Sequence, residues 1–249
     1  NLGNKWIGTD GGGLVKYDNN IWKVYTPMMG WSYLSQVTSV TVSQDGSIWV
    51  GTFSRIAKFD GTNWISYSLW DMGLNNAPAK KIVLDQENNK WVGSDEGIAK
   101  FNENAIVLWT TSSSGIPTNS IEAITIDHNN DKWLGTLGEG LVKYDGLHWT
   151  IYNTQNSGIP ASTLTAITID NLGNKWIGTN GKGLVKFDGI NWITFNTSNS
   201  GLPNDLVTDI AIDNLGNKWI GTNGGGLAKH DGAYNWVNFN TSNSGLPSN

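Results

Sequence analysis

Nine residues of this chain have the types that recognise a ligand: Trp31, Tyr33, Phe53, Arg55, Trp70, Asp71, Asp95, Glu96 and Glu139. Aromatic faces give the apolar CH surfaces of a sugar or peptide somewhere to lie, and a few charged groups beside them fix orientation. The carboxylates could also serve acid–base catalysis, but no two of Asp71, Asp95, Glu96 and Glu139 have a spacing that makes them partners. Other chemistries fit less well. Asp127-His-Asn-Asn-Asp131 places oxygen side chains as a calcium loop does, yet it lacks the distal bidentate glutamate and reads as a hairpin turn. The three histidines, His128, His148 and His230, have no metal-ligand spacing. Glycine runs such as Gly181-Lys-Gly183 and Gly224-Gly-Gly226 precede a strand instead of the helix that a phosphate loop requires, so they read as tight turns. The sequence has no serine nucleophile elbow and no cysteine, which removes thiolate chemistry and disulfides. No metal or cofactor is expected.

A repeat must position these residues. Trp6, Trp49, Trp91, Trp133, Trp176 and Trp219 recur every 42 or 43 residues, each inside a version of Gly-Asn-Lys-Trp-Ile-Gly-Thr. One copy holds four strand-like segments: Leu164–Asp170, Lys175–Thr179, Gly183–Asp188 and Trp192–Asn196. The first alternates large apolar and small polar residues, as a half-buried strand does, and Asp-Gly after the third is a hairpin signal. A period of about 40–45 residues with four short strands is a β-propeller blade, so the expected fold is all-β, a propeller of six repeats. The period runs without a linker, so residues 1–249 are expected to form a single domain.

The first strand of the repeat occurs five times, near Val37–Ser43, Lys80–Asp85, Ile121–Asp127, Leu164–Asp170 and Val207–Asp213, whereas the other three occur six times. The first blade is therefore expected to lack its innermost strand within this chain. An uncovered strand edge is a liability. The expectation is that the native polypeptide continues past Asn249 or begins before Asn1.

Two sets of tryptophans repeat, the six above on the second strand and Trp22, Trp64, Trp149, Trp192 and Trp236 opening the fourth. Repetition in every blade points to packing, since each such ring buries roughly 150–250 Å². In the third repeat Ala105 stands where the opening tryptophan is expected, and Trp109 reads as packing.

The nine candidate residues stand where the repeats disagree. Later repeats write the fourth-to-first connection as Asn-Thr-Ser-Asn-Ser-Gly-Leu-Pro and the second-to-third as Thr-Asn-Gly-Gly-Gly, and propeller geometry brings both to one face. In the first repeat the former becomes Thr26-Pro-Met-Met-Gly-Trp-Ser-Tyr-Leu-Ser-Gln36. The second repeat has Phe53-Ser-Arg55 and Leu69-Trp-Asp-Met-Gly-Leu74, the third Asp95 and Glu96, and the fourth Glu139. Either these loops line a binding site, or they fold inward to fill an irregular part of the frame.

Composition excludes some partners. A net charge of −5 from 16 basic and 21 acidic residues, without a basic run, leaves no stripe for nucleic acid. No apolar stretch approaches the roughly 20 residues of a membrane span. With only 15% charged residues and abundant Gly, Asn, Ser and Thr, the surface is of the kind secreted β-proteins carry.

With these residues in view, the chain resembles the two-component regulator propeller repeats. The resemblance lies in the acidic turn, Gly-Asn-Lys-Trp-Ile-Gly-Thr, Gly-Gly-Leu-Val-Lys-Tyr-Asp and the Ser-Gly-Leu-Pro stretch before the next blade, and it covers nearly the whole chain. Gly51-Thr-Phe-Ser-Arg and Gly93-Ser-Asp-Glu-Gly depart from it. The resemblance implies a periplasmic sensor domain of a bacterial hybrid histidine kinase, or a secreted or surface-anchored protein; the sensor members are similar in recognising carbohydrate fragments. The expected function is therefore non-catalytic binding or sensing outside the cytoplasm, with a carbohydrate or protein ligand on the divergent loop face. A structural or protein-docking surface module is the alternative, and a propeller lyase or hydrolase the third reading.

Overall fold

Each repeat folds as its pattern of apolar and small residues dictates. A computed structural model describes residues 4–18, 20–25, 36–75, 77–102 and 105–249. Among them, alternating segments pair as antiparallel sheets in simple meander order. The fold is an all-β six-bladed propeller, with three strands in the first blade and four in each of the others. The described residues hold no α-helix, only a 3-10 turn over Trp70–Met72, and no helix is long and apolar enough to cross a membrane.

The chain divides into two compact units, Asn1–Ile121 and Glu122–Asn249. The first contains blade 1 (β1 Lys5–Thr9, β2 Gly13–Asp18, β3 Ile21–Tyr25), blade 2 (β4 Val37–Val42, β5 Ile48–Thr52, β6 Arg55–Phe59, β7 Trp64–Ser68) and blade 3 (β8 Lys81–Leu84, β9 Lys90–Gly93, β10 Ile98–Phe101, β11 Ile106–Trp109). The second contains blade 4 (β12 Ile121–Ile126, β13 Lys132–Thr136, β14 Leu141–Tyr144, β15 Trp149–Tyr152), blade 5 (β16 Leu164–Ile169, β17 Lys175–Thr179, β18 Leu184–Phe187, β19 Trp192–Phe195) and blade 6 (β20 Val207–Ile212, β21 Lys218–Thr222, β22 Gly226–His230, β23 Trp236–Phe239).

The second strand is the buried spine of a blade: β5, β13 and β17 are buried along their whole length. Its tryptophan stacks on the last aromatic residue of the fourth strand, as in Trp49–Tyr67, Trp91–Trp109, Trp133–Tyr152 and Trp176–Phe195. Trp109 is thus a packing residue. The acidic turn holds the indole from the other side. Trp176 Nε1 donates to Asp170 at 2.9 Å, and Trp133 Nε1 to Asp127 at 2.8 Å. Asp127 also accepts from the amides of Asn129 and Asp131, both at 3.0 Å, so Asp127–Asp131 is a hairpin turn. A lysine of the following blade caps the ring face, with Lys90 Nζ 4.6 Å from Trp49, Lys175 4.5 Å from Trp133 and Lys218 4.7 Å from Trp176.

The tryptophans that open the fourth strand join neighbouring blades. Trp192 stacks on Phe187 of its own blade at 3.9 Å and lies 5.9 Å from Tyr152 of the preceding one. Trp236 stands in the same relation to Phe195, also at 5.9 Å, and Trp64 stacks on Phe59 at 4.8 Å within the cluster that contains Tyr25. Trp22 departs from the packing expectation. It stacks on Tyr17 at 4.5 Å but is 63% exposed, on a strand whose residues are almost all exposed.

Candidate functional site

Strand register corrects the expectation for the third repeat. Phe101 pairs with Ile106, as Phe187 pairs with Trp192, so Ile106, not Ala105, takes the place of the opening tryptophan. The side chain there is branched and short. Tyr67 and Phe101, which touch at 4.7 Å, occupy the positions of Tyr152 and Phe187; Trp49 packs on both, but the second indole, the counterpart of Trp192, is missing. The result is a cleft of about 180 Å³ between blades 2 and 3, lined by Arg55, Ser66, Tyr67, Ser68, Asp71, Met72, Phe101 and Ile106.

Arg55 reaches the cleft from a position that is a glycine in every other repeat. Repeats four to six have five steps from the threonine that ends the second strand to the first leucine of the third, and the second repeat has four, from Thr52 to Ile56. The residue before that apolar position is elsewhere a glycine at positive φ, such as Gly140 or Gly183, where a Cβ would lie 2.3 and 2.1 Å from the Tyr152 and Phe195 carbonyl oxygens. At Arg55 this constraint is gone, whereas the third repeat, with the same four steps from Ser94 to Ile98, keeps a glycine, Gly97, at φ 131°. Arg55 begins β6 opposite Ser68, clamped by bonds of 3.1 and 3.0 Å between its backbone and Thr52 Oγ1. Its Nη1 donates to Ser66 Oγ at 3.2 Å, which aims the guanidinium along β7.

Asp71 arrives from the other divergent loop. Leu69 N–H donates to Ser54 O at 3.0 Å, joining the two connections of blade 2. The chain then makes one 3-10 turn, closed by Gly73 at φ 79°. This turn sorts its residues: Leu69, Met72 and Leu74 are buried, while Trp70 is 67% exposed and Asp71 is exposed. Inward filling is therefore realised at Leu69, Met72 and Leu74, while Trp70 and Asp71 of the same loop stay at the surface. Trp70 N–H donates to Ser68 Oγ at 3.2 Å, and a Cβ on Gly73 would lie 2.9 Å from Leu108, so the turn leans on β11.

The other candidates are placed as follows. Phe53, next to Ser54 in the same connection, is 57% exposed. Trp31 and Tyr33 lie outside the described residues. Asp95 is bonded to Lys80 Nζ and Ser120 Oγ and so ties the connections of blade 3 together. Burial pushes its carboxyl up, but the bonds from Lys80 and Ser120 and the lysine charge outweigh this and hold it below its ordinary value. Glu96 is half-buried, with its backbone N–H donating to Ser94 Oγ at 3.0 Å, and Glu139 is exposed in the second unit. Arg55 and Asp71 are thus the two charged residues brought into one cleft. Sequence comparison did not find Ile106, Ser66 and Ser68. Ile106 had a signal, the missing tryptophan; the serines had none.

The fold is a propeller built on one repeated blade, and two of the divergent residues, Arg55 and Asp71, meet at the joint of blades 2 and 3. No protein-family model and no curated protein matches the chain. Among solved structures it is similar to the extracellular domain of the hybrid two-component system BT3049 from B. thetaiotaomicron, with 24% identity and a TM-score of 0.82, covering 100% of this chain and 34% of that one. It is also similar to PorZ, a bacterial surface component of the type-IX secretion system of Porphyromonas gingivalis (21% identity, TM-score 0.74, 92% of this chain and 37% of that one). A third is virginiamycin B lyase from Staphylococcus aureus (16% identity, TM-score 0.77, 96% and 81%). The chain spans about a third of the length of the first two. At these identities the likeness is one of fold, and that fold carries a sensor domain, a secretion component and an enzyme. Function must therefore be argued from the cleft.

Proposed function

We propose that this chain is a non-catalytic ligand-binding propeller of the sensing type, from a bacterial extracellular, surface or periplasmic protein, and that it holds its ligand in the cleft between β7 and β11. One observation carries this reading. Three separate departures from the repeat, Arg55 where the other blades have a glycine, the loop that carries Asp71 and Met72, and Ile106 in place of tryptophan, converge on a single concavity. Irregular loops that merely vary have no reason to meet. Among the described residues lining the cleft there is one carboxylate, so it does not present the carboxylate pair that most glycoside hydrolases use.

The test is a titration of a panel of oligosaccharides and peptides followed by tryptophan fluorescence, on the wild type and on Ile106→Trp. That substitution restores the indole found in the other blades and fills the cleft while keeping the fold. Saturable binding by the wild type, weakened at least 10-fold in the folded variant, is the expected result. Equal binding by both proteins moves the site elsewhere.

A second reading, a protein-docking platform, is favoured by a different feature. In the second unit the hairpin tips carry Leu147, Leu172, Ile190, Leu215 and Tyr234, each at least 83% exposed. Those tips belong to the first-to-second and third-to-fourth connections of their blades. Such exposed apolar residues suit a protein partner.

A further inference from the structure

The chain has fifteen lysines and a single arginine, and that arginine is Arg55. Lysines stand over the indole faces of Trp6, Trp49, Trp91, Trp133, Trp176 and Trp219. Among the described residues, the guanidinium stands in the cleft where the indole over the blade joint is missing. The two cations are not equivalent. Guanidinium presents a planar fork of donors that matches a carboxylate with two parallel hydrogen bonds, whereas ammonium is a point charge.

The rest of the lining fits the remainder of such a ligand. Tyr67, Met72 and Ile106 offer an apolar surface, while Ser66, Ser68 and Asp71 offer hydroxyl and carboxylate oxygens. At about 180 Å³ the space is below the roughly 300–1,000 Å³ of pockets for drug-sized molecules, so it suits one ring and not an extended segment. We infer that the cleft takes a single carboxylate-bearing sugar unit, a uronic acid, with its carboxylate on Arg55, its hydroxyls toward Asp71 and the two serines, and its CH face over Tyr67, Met72 and Ile106. This rests on the cleft being the ligand site, as proposed above, and adds the class of ligand.

The experiment is calorimetric titration of the whole 249-residue chain with methyl glucuronide, methyl galacturonide, the matching neutral methyl glycosides, an N-acetyl amino acid and acetate. Either uronide is expected to bind at least 10-fold more tightly than its neutral counterpart and than the other two carboxylates. Charge-assisted hydrogen bonds of this kind correspond to about 10- to 100-fold in affinity. Arg55→Gln is expected to remove that preference, and Arg55→Lys to recover only part of it, because the charge returns without the fork. Equal binding of uronide and neutral glycoside by the wild type overturns the inference and leaves the cleft as a sugar site. Preference for the amino-acid carboxylate overturns it as well, in favour of a peptide terminus. No binding by any of these, or binding unchanged in Ile106→Trp, removes the site itself. The comparison among ligands on the wild type decides the matter even if an Arg55 variant fails to fold.

Discussion

A single atom marks the least comfortable residue of the second unit. His230 ends the third strand of blade 6 where blades 2, 3 and 5 have Phe59, Phe101 and Phe187. It is fully buried, stacks on Trp236 at 4.3 Å and meets Phe195 and Trp176 at 5.3 and 5.7 Å. Its Nδ1 donates to Asn235 O at 3.2 Å, and its Nε2 is buried with no hydrogen-bond partner. Burial pushes the imidazole below its ordinary value, with Lys218 and Lys186 adding to this; the Asn235 carbonyl and Asp231 pull the other way and do not prevail. The folded form is therefore the neutral ring. An unfolded histidine takes up a proton near pH 6.5, so below that pH the unfolded chain binds more protons than the folded one. The associated stability is fully present above about pH 6.5 and is lost as pH falls toward the depressed folded value, by up to about 1.4 kcal/mol per pH unit. Urea unfolding at pH 7.5 and pH 5 should show a smaller loss in His230→Phe than in the wild type; equal losses would place the acid sensitivity elsewhere. In sequence His230 is one of three histidines without ligand spacing, and only the phenylalanines at the matching positions mark it as buried.

At the scale of the element, turn chemistry decides which departures are tolerated. Gly181 and Gly183 both have positive φ, 84° and 85°, but a Cβ on the first meets nothing within 4 Å, while on the second it lies 2.1 Å from the Phe195 carbonyl oxygen. Gly181→Ala is expected to destabilise by about 1 kcal/mol, from the left-handed backbone alone. Gly183→Ala should cost roughly 2 kcal/mol more, since strand β19 must shift to admit it. Denaturant midpoints of the two variants check the order. Strands were legible because period-two alternation and one tryptophan per repeat mark them twice over. Arg55 and Asp71 were legible as departures from bland loops. The register of β11 was not, because Asn102-Glu-Asn-Ala-Ile offers two adjacent places for a lost tryptophan and only the ladder of hydrogen bonds chooses Ile106. Nor was the cleft itself, which is made by what a neighbouring blade fails to cover.

Across the whole molecule, stability in a repeat protein is close to a sum of blade terms and joints between neighbours. The joint between blades 4 and 5 is a filled version of the one between blades 2 and 3, with Trp192 seated over Tyr152 and Phe187. Trp192→Ile should therefore destabilise by about 2–4 kcal/mol, as large-to-small core changes do, whereas Ile106→Trp should leave the unfolding midpoint unchanged or raised. Urea unfolding of both variants tests this, and an equal loss in the two would mean that the joints are not equivalent. If the hollow does open at Trp192, the number of binding places is set separately from the number of blades. One codon empties a seat and one codon fills it, so valency in such a protein can change by single steps while the frame stays the same. Under the proposal above, Arg55 determines which of the hollows so made takes a charged occupant.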